Sequence, residues 1–224
     1  MKQRLGRAPT TQLALIAAVA FLGLEAIVKL MPHLDTASLP LALLREAVVV
    51  AFAIGLAFVV VRIHTFSARE LGFVAPNWST FAWGFVAAVA MVVVSIAMIA
   101  AMHVFGVRQS AAMLSALSSR PVWMILLIGM VAAVSEEILF RSILITHLGA
   151  LTGKLWVGAV LSLALFGLAH LSGWGVSQVF FAGVAGIIPT VMFVWKRDIG
   201  ICMIAHFMTD SIGLLAAAAQ AHAA

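Results

Sequence analysis

The sequence has little charge, no tyrosine and a single cysteine. Lys, Arg, Asp and Glu together make up 9% of its 224 residues, whereas 64% are hydrophobic. A soluble globular domain carries about 25% charged and about 45–50% apolar residues. So few charges cannot cover a soluble surface, which excludes a water-soluble enzyme, a secreted module and a disordered regulator. The single cysteine, Cys202, also excludes a disulfide framework and a cysteine-based metal cage.

Long apolar segments dominate the sequence instead, and its mean hydropathy is +1.18. A membrane-spanning helix needs about 20 predominantly apolar residues. We therefore predict an all-α polytopic transmembrane bundle that forms a single domain over residues 1–224 and lies in the lipid bilayer. Its seven predicted spans are 12–30, 41–62, 79–105, 121–147, 155–172, 176–195 and 199–219.

The distribution of positive charge predicts the orientation. The net charge is +5, but no Lys/Arg run of the kind that binds nucleic acid is present, so no nucleic-acid partner is expected. With a cytoplasmic N-terminus, Arg108 and Arg120 lie outside and eight positive residues lie inside, as the positive-inside rule requires. We expect an integral multi-pass protein of the cell membrane with an uncleaved first span. The eight inside residues are Lys2, Arg4, Arg7, Arg62, Arg69, Lys154, Lys196 and Arg197.

The fourth span contains charges that a membrane helix normally avoids. It carries the pattern Glu-Glu-x-x-x-Arg at 136–141, and each charge costs roughly 2.5–3.5 kcal/mol at the bilayer centre. Glu137 and Arg141 are four residues apart and can form an ion pair. Glu136 and Glu137 repel each other, an arrangement that suits a general base beside a partner acid. Taken alone, the pattern is equally consistent with an active site and with a buried ion-pair lock between helices.

Two further polar clusters favour a site. His170 ends the fifth span, and His206 and Asp210 stand one helical turn apart in the seventh, where a carboxylate can orient an imidazole. A lone membrane histidine more often bonds to a neighbouring helix than it catalyses a reaction. Together with the charges of the fourth span, however, these groups could hold and deprotonate a water molecule.

Other polar residues are given structural interpretations. Glu25 and Lys29 are expected to form a local ion pair, and Arg45 and Glu46 an interfacial anchor at the start of the second span. Pro189 is expected to kink the sixth helix. The remaining histidines fall in loops, near span ends or in the tail and are predicted to be interfacial: His33, His64, His103, His147 and His222.

Three motifs in series resemble the signature of a known family. They are Glu-Glu-x-x-x-Arg at 136–141, Phe-x-x-x-His at 166–170 and His-x-x-x-Asp at 206–210. In order and spacing they resemble the CAAX-protease and bacteriocin-processing family, which includes the type II CAAX prenyl endopeptidases and their prokaryotic Abi-type relatives. The resemblance covers residues 118–215, and the segment 70–73 is similar to a loop common in these proteins. Asp210 stands where much of the family has Asn.

The resemblance implies a membrane-embedded endopeptidase. Glu136 would be the base that activates water, and Glu137 with Arg141 would hold the site together. The remaining three motif residues would bind that water or the tetrahedral intermediate: His170, His206 and Asp210.

The resemblance also implies a membrane-associated protein or peptide as substrate. The family hydrolyses peptide bonds in or near the membrane, in eukaryotes removing three residues after a prenylated cysteine. We expect water activated by glutamate without a required cofactor, because the sequence has no His-Glu-x-x-His helix. A Glu/His/His/Asp set could nonetheless hold a divalent metal such as zinc.

Other functions remain open. A non-enzymatic membrane scaffold or a bacteriocin self-immunity protein would keep the polar cluster for stability. A small transporter is less consistent with the sequence, which has no inverted repeat and no paired broken helices. The rise of 1.5 Å per residue places Glu136 and His206 in the inner half of the membrane and His170 near the outer face. We expect the three helices to converge on a cytoplasm-facing cavity.

Overall fold

The computed structural model describes residues 8–31, 38–63, 65–107, 115–117 and 119–223, with side chains up to residue 220. Every regular element in these ranges is helical, which confirms the predicted all-α class. Seven helical stretches are long and apolar enough to cross a membrane, as predicted. Several residues discussed above lie outside the described residues or side chains: Lys2, Arg4, Arg7, His33, His64, Arg108 and His222.

The first three spans are single helices, whereas the next three are divided. The first three are α1 (Thr10–Leu30), α2 (Leu39–Arg62) and α3 (Trp78–Val104). The fourth span consists of α4 (Val122–Glu136), a π-helix (Glu137–Leu144) and α5 (Ile145–Thr152). The fifth and sixth spans are α6 (Leu155–Ala169) with α7 (Leu171–Trp174), and α8 (Val176–Ala185) with α9 (Ile187–Lys196). The seventh is α10 (Ile199–Ala223).

The fourth span occupies the centre of the bundle. In its most apolar window 56% of the residues are buried, against 17–33% in the other six spans. It also extends to Thr152, beyond its predicted end at 147. A helix enclosed by other helices can carry polar groups out of contact with lipid, and such groups usually mark function.

The π-helix at Glu137–Leu144 was not predicted from the sequence. In a π-helix each amide bonds to the carbonyl five residues back instead of four, a rare geometry that occurs frequently at functional sites. All eight of its residues are buried. Ser162 of α6 donates a hydrogen bond to the Phe140 carbonyl at 2.6 Å, which supports the widened turn. The charged motif at 136–141 therefore spans the junction between α4 and the π-helix.

The sixth span is interrupted at Gly186, between α8 and α9. Proline lacks an amide hydrogen, and its ring collides with the carbonyl four residues earlier. The residue four positions before Pro189 is Ala185, the last residue of α8. The helix is therefore interrupted at the position where Pro189 was predicted to kink it. The Gly186 carbonyl accepts hydrogen bonds from Thr190 Oγ1 at 2.7 Å and from Arg141 Nη2 at 3.4 Å. Gly186 therefore connects the sixth span directly to the central span through Arg141.

The segment 65–77 closes one end of the bundle. Leu71 is fully buried, and its carbonyl accepts a hydrogen bond from Ser142 of the π-helix at 2.6 Å. Gly72 has φ +83°, which favours glycine, and a Cβ there would lie 2.6 Å from the Phe193 ring. The Gly72 carbonyl accepts from the Ile199 amide at 3.0 Å. The segment is therefore bonded to both the π-helix and the start of α10.

Arg197 attaches the same segment to the end of α9. It adopts a left-handed conformation with φ 53°, where glycine is usual after a helix. Its guanidinium lies 4.5 Å over the Phe193 ring and donates to the Glu70 carbonyl. Burial lowers the pKa of Arg197, and the negative charge of Glu70 opposes this shift. An arginine remains protonated in proteins, so the contact is a charged one.

Besides the Pro189 kink, the structure confirms one structural interpretation and corrects two. Glu25 and Lys29 form the expected ion pair, at 3.7 Å. His147 is not interfacial: it is fully buried within α5, and its Nδ1 lies 2.7 Å from the Ile143 carbonyl. The cause is the greater length of the fourth span, which continues past His147. Glu46 is not an interfacial anchor either, because it is 5% exposed.

Candidate active site

The π-helix places a buried ion pair at the centre of the bundle. Arg141 Nη1 lies 3.1 Å from Glu137 Oε1, and the two side chains are 2% and 0% exposed. A buried guanidinium without a counter-charge would be strongly destabilising, and each charge here offsets the burial of the other. Arg141 also lies 4.0 Å over the Phe166 ring and reaches the Gly186 carbonyl. The π-helix, α6 and Gly186 at the break in the sixth span therefore hold this pair.

His206 of α10 lies among three carboxylates. Its Nδ1 is hydrogen-bonded to Glu137 Oε1 at 2.7 Å. Its Nε2 lies 3.3 Å from Asp210 Oδ2 and 3.9 Å from Glu136 Oε2. Because α10 places His206 and Asp210 one turn apart on one face, the imidazole is fixed between its own helix and the central span. Five of the six predicted residues are thus joined in one network of charges.

His170 is joined to this network through an aromatic ring. The ring of Phe166, which is buried, lies edge-on to His170 at 4.9 Å and to His206 at 6.4 Å between centroids. His170 Nδ1 lies 2.9 Å from the Phe166 carbonyl. When Nδ1 donates to that carbonyl, Nε2 of the neutral ring is left as an acceptor. The sequence motif included Phe166, but its position between the two histidines was not predicted.

The exposure of the six side chains increases toward one end of the bundle. Glu137 and Arg141 are buried, whereas the side chains of Glu136 and Asp210 are 23% and 36% exposed. His170 is half-buried at the end of α6. Within the described residues, Glu136 Oε2 and Glu137 Oε2 are buried without a hydrogen-bond partner. Buried polar atoms are nearly always hydrogen-bonded, so each of these two oxygens has an unfilled acceptor position.

The accessible end of this cluster lies opposite the segment 65–77. That segment contacts Ser142 and the start of α10, whereas His170 ends α6 at the other end of the bundle. With a cytoplasmic N-terminus, the alternation of the seven spans would place segment 65–77 inside and the accessible end outside. The expected cytoplasm-facing cavity and the expected N-terminal orientation therefore cannot both hold.

Within the described residues, no group of three His, Cys, Asp or Glu side chains is placed to hold a metal ion. Nδ1 of His206 is bonded to Glu137, and Nε2 faces Asp210.

A comparison with protein families agrees with this geometry. Residues 118–212 match the family model described as Type II CAAX prenyl endopeptidase Rce1-like. This segment, less than half of the chain, is similar to that family. The match confirms the resemblance drawn from the three motifs, and the Rce1-like segment contains all six predicted site residues. No curated protein and no solved structure matches the chain.

The family match and the fold support the same class of protein. The Rce1-like segment is that of a protease family, and seven apolar helices make the protein an integral multi-pass membrane protein. The match supports a CAAX-type intramembrane endopeptidase at the level of the family, and a protease family of this kind implies a membrane-associated protein substrate. The first three spans lie outside the Rce1-like segment.

Proposed function

We propose that this protein is an intramembrane endopeptidase in which Glu136 activates the attacking water. The observation that carries the proposal is the position of Glu136 at the accessible edge of the buried charge network. Its Oε2 has no hydrogen-bond partner among the described residues and lies 3.9 Å from His206 Nε2. A general base must be within hydrogen-bond reach of the proton that it removes, and this oxygen is free to accept one from water.

The reaction proceeds in two steps. Glu136 takes a proton from water as the oxygen attacks the peptide carbonyl carbon, and the carbonyl oxygen becomes an oxyanion. Cationic and hydrogen-bond donors near that oxygen stabilise it. The C–N bond then breaks, and the proton held by Glu136 passes to the leaving amine, which regenerates the base. His170, His206 and Asp210 bind the water or the tetrahedral intermediate, while Glu137 and Arg141 hold the network in place.

The proposed substrate is a membrane-associated protein or peptide, including a prenylated one. An apolar hollow of about 240 Å³ lies between α2 and the π-helix and has a volume suited to part of a lipid chain. Ile138 lines it and directly follows the Glu136–Glu137 pair in sequence. The full lining consists of Ile54, Ala57, Phe58, Val61, Phe73 and Ile138.

The test is cleavage by the full chain in proteoliposomes of a quenched-fluorescence peptide that ends in farnesyl-cysteine and three further residues. We expect Glu136→Gln and His170→Ala to lower kcat/KM by about 10²-fold or more, the size of a general acid–base contribution. Both variants should insert and purify normally, because Glu136 and His170 are partly exposed. Glu25→Gln is the control, since it removes a carboxylate that pairs with Lys29 away from the network. Unchanged cleavage in either site variant contradicts the assignment.

The second candidate is a non-enzymatic membrane scaffold or bacteriocin self-immunity protein. The burial of Glu137 and Arg141 favours it, since a fully enclosed ion pair could serve as a lock between helices. On this function, substitutions at Glu136 and His170 would lower thermal stability or partner binding, and the wild-type chain would cleave no peptide. Thermal unfolding measured beside the cleavage assay separates the two candidates.

A further inference from the structure

Ser162 of α6 supports the π-helix from a neighbouring helix. Its hydroxyl donates a hydrogen bond to the Phe140 carbonyl at 2.6 Å, and the residue is 1% exposed. A hydroxyl inside a helix can bond instead to the carbonyl four residues earlier in its own helix. Ser135 does so, since its Oγ donates to the Val131 carbonyl at 2.6 Å. The Ser162 hydroxyl is therefore committed to the central span and not to its own helix.

The acceptor of this bond belongs to the widened turn. The Phe140 carbonyl also accepts from the Ile145 amide, which is a bond over five residues of the kind that defines a π-helix. A side chain that inserts beside the hydrogen bonds of a helix distorts it, because its donor competes with the amide four residues further on. The Ser162 hydroxyl therefore favours the five-residue bond at Phe140 over the four-residue bond of an α-helix.

The widened turn affects how Glu136 and Glu137 are directed. Adjacent side chains on an α-helix diverge by about 100°, whereas a π-helix has more residues per turn and separates them by a smaller angle. Both carboxylates face the same imidazole here: His206 lies 2.7 Å from Glu137 Oε1 and 3.9 Å from Glu136 Oε2. The π-helix begins at Glu137, directly after the proposed base. The turn that Ser162 supports thus sets the position of Glu136 relative to the buried ion pair.

Ser162 also continues a line of residues by which α6 contacts the site. Ser162, Phe166 and His170 are spaced at intervals of four residues, which places them along one side of α6. The Phe166 ring lies 5.1 Å from the Phe140 ring and 4.0 Å from the Arg141 guanidinium. This side of α6 therefore holds two consecutive residues of the π-helix, one by its carbonyl and ring and the other by its charged group.

We propose that Ser162 is a positioning residue of the endopeptidase, whose hydroxyl holds the π-helix open at Phe140 and so keeps Glu136 beside His206 for the attack of water. This inference rests on the proposed function, because it concerns the position of Glu136 as the base. Ser162 acts through the backbone of the fourth span and not on the water or the peptide. It extends the site one helical turn before the Phe-x-x-x-His motif, to a residue that the three motifs do not contain.

The decisive variant is Ser162→Ala, which removes the hydroxyl and leaves a good helix former. With the farnesylated peptide and the full chain in proteoliposomes, kcat should fall by about 10-fold or more, because a misplacement of about 1 Å can cost about 10²-fold. KM should remain unchanged, since Ser162 is buried and cannot contact the peptide. Ser162→Cys keeps a similar shape with a weaker donor, so its kcat should fall between the other two. It also serves as the test if Ser162→Ala does not fold.

Ser135→Ala is the matched control. Ser135 is as buried as Ser162 and lies directly before Glu136, but its hydroxyl bonds within its own helix. The kcat of Ser135→Ala should remain near that of the wild type. Equal losses in the two alanine variants overturn the proposal, because the loss of any buried hydroxyl would then suffice. A Ser162→Ala variant that unfolds at a lower temperature but keeps the wild-type kcat also overturns it, since the role of Ser162 would be structural alone.

Infrared spectroscopy provides a readout that does not depend on turnover. In protein made with phenylalanine that carries heavy isotopes in its carbonyl, the band lost in Phe140→Leu identifies the Phe140 carbonyl. This band should move to higher frequency in Ser162→Ala, because the carbonyl loses one of its two donors, and should stay in place in Ser135→Ala. An unmoved band overturns the proposal.

The cleavage assay separates failure of this inference from failure of the proposed function. If the wild type cleaves no peptide, the proposed function fails, and the positioning role of Ser162 fails with it. If the wild type cleaves the peptide and Ser162→Ala cleaves it equally well, only the role of Ser162 is overturned. A lowered kcat together with a moved Phe140 band supports both.

Discussion

At the scale of single residues, Glu137 is the carboxylate that connects two helices. Its Oε1 faces Arg141 of its own span at 3.1 Å and His206 of α10 at 2.7 Å. The side chain is fully buried, so no water shields the charges that it balances. Removing the Glu137 carboxylate would leave the Arg141 guanidinium buried without a counter-charge, and an uncompensated buried charge is strongly destabilising.

Glu137→Ala is therefore expected to destabilise the protein by about 3–5 kcal/mol. The measurement is thermal or denaturant unfolding of the purified chain in detergent. The double variant Glu137→Ala, Arg141→Met removes both charges and should recover much of the lost stability, because apolar replacement of a whole buried pair is often neutral. It should remain inactive. If Glu137→Ala is as stable as the wild type, other groups must balance the charge of Arg141.

At the scale of elements, the break in the sixth span lets the helix approach the site closely. A Cβ on Gly186 would lie 2.9 Å from the Phe166 ring and 3.0 Å from Arg141 Nη2. These two side chains stack on each other, so an added methyl group would push on both. The nearby Gly183 has no atom within 4 Å of the corresponding position. The two glycines therefore form a matched pair for substitution.

Gly186→Ala should cost about 1–3 kcal/mol of stability, as overpacking of a filled interior does. It should also lower kcat, because Arg141 and Phe166 lie between the two histidine-bearing helices. Gly183→Ala should leave both quantities near the wild type. The measurements are unfolding in detergent and cleavage of the farnesylated peptide. Equal behaviour of the two variants would mean that α8 and α9 can shift freely relative to the π-helix.

The elements also show what the sequence could and could not predict. The seven spans followed from length and hydropathy, which are local properties. The π-helix depends on partners distant in sequence, such as Ser162, which donates to the Phe140 carbonyl. The true end of the fourth span had a local signal: Gly153, with φ +68°, ends α5 as a C-cap glycine. Use of that signal would have placed His147 inside the helix.

The six site residues were predictable because three motifs contain them, and five of the six form one charge network in the structure. The catalytic roles remain predictions. The burial of Glu46 could not be predicted in this way, because a charge near the start of a span is typical of an interfacial anchor. Its burial follows from packing of α2 on the fourth span, which a single sequence does not reveal.

At the scale of the whole molecule, the orientation in the membrane is a prediction that can be tested with two cysteines. The two substitutions are Ala68→Cys and Val107→Cys. Ala68 lies in segment 65–77, Val107 follows α3 at the other end of the bundle, and both residues are exposed. Neither substitution changes a charge, and the native Cys202 is fully buried and should not react.

A cytoplasmic N-terminus predicts that a membrane-impermeant maleimide on intact cells labels Val107→Cys and spares Ala68→Cys. Permeabilised cells should label both and serve as the control. The reverse pattern would place the accessible end of the site in the cytoplasm, in agreement with the expected cavity and against the charge count. Either result decides which of the two expectations stands.

The closure of one end by segment 65–77 has a consequence for where cleavage products go. On the proposed function, a peptide cleaved beside Glu136 cannot cross the bundle, since Ser142 of the π-helix is hydrogen-bonded to Leu71 of segment 65–77. A water-soluble product has to leave through the accessible end of the site, by which the substrate entered. An apolar product can diffuse laterally into the lipid bilayer. Cleavage at a site closed at one end would therefore be vectorial, because every water-soluble product would enter the same compartment.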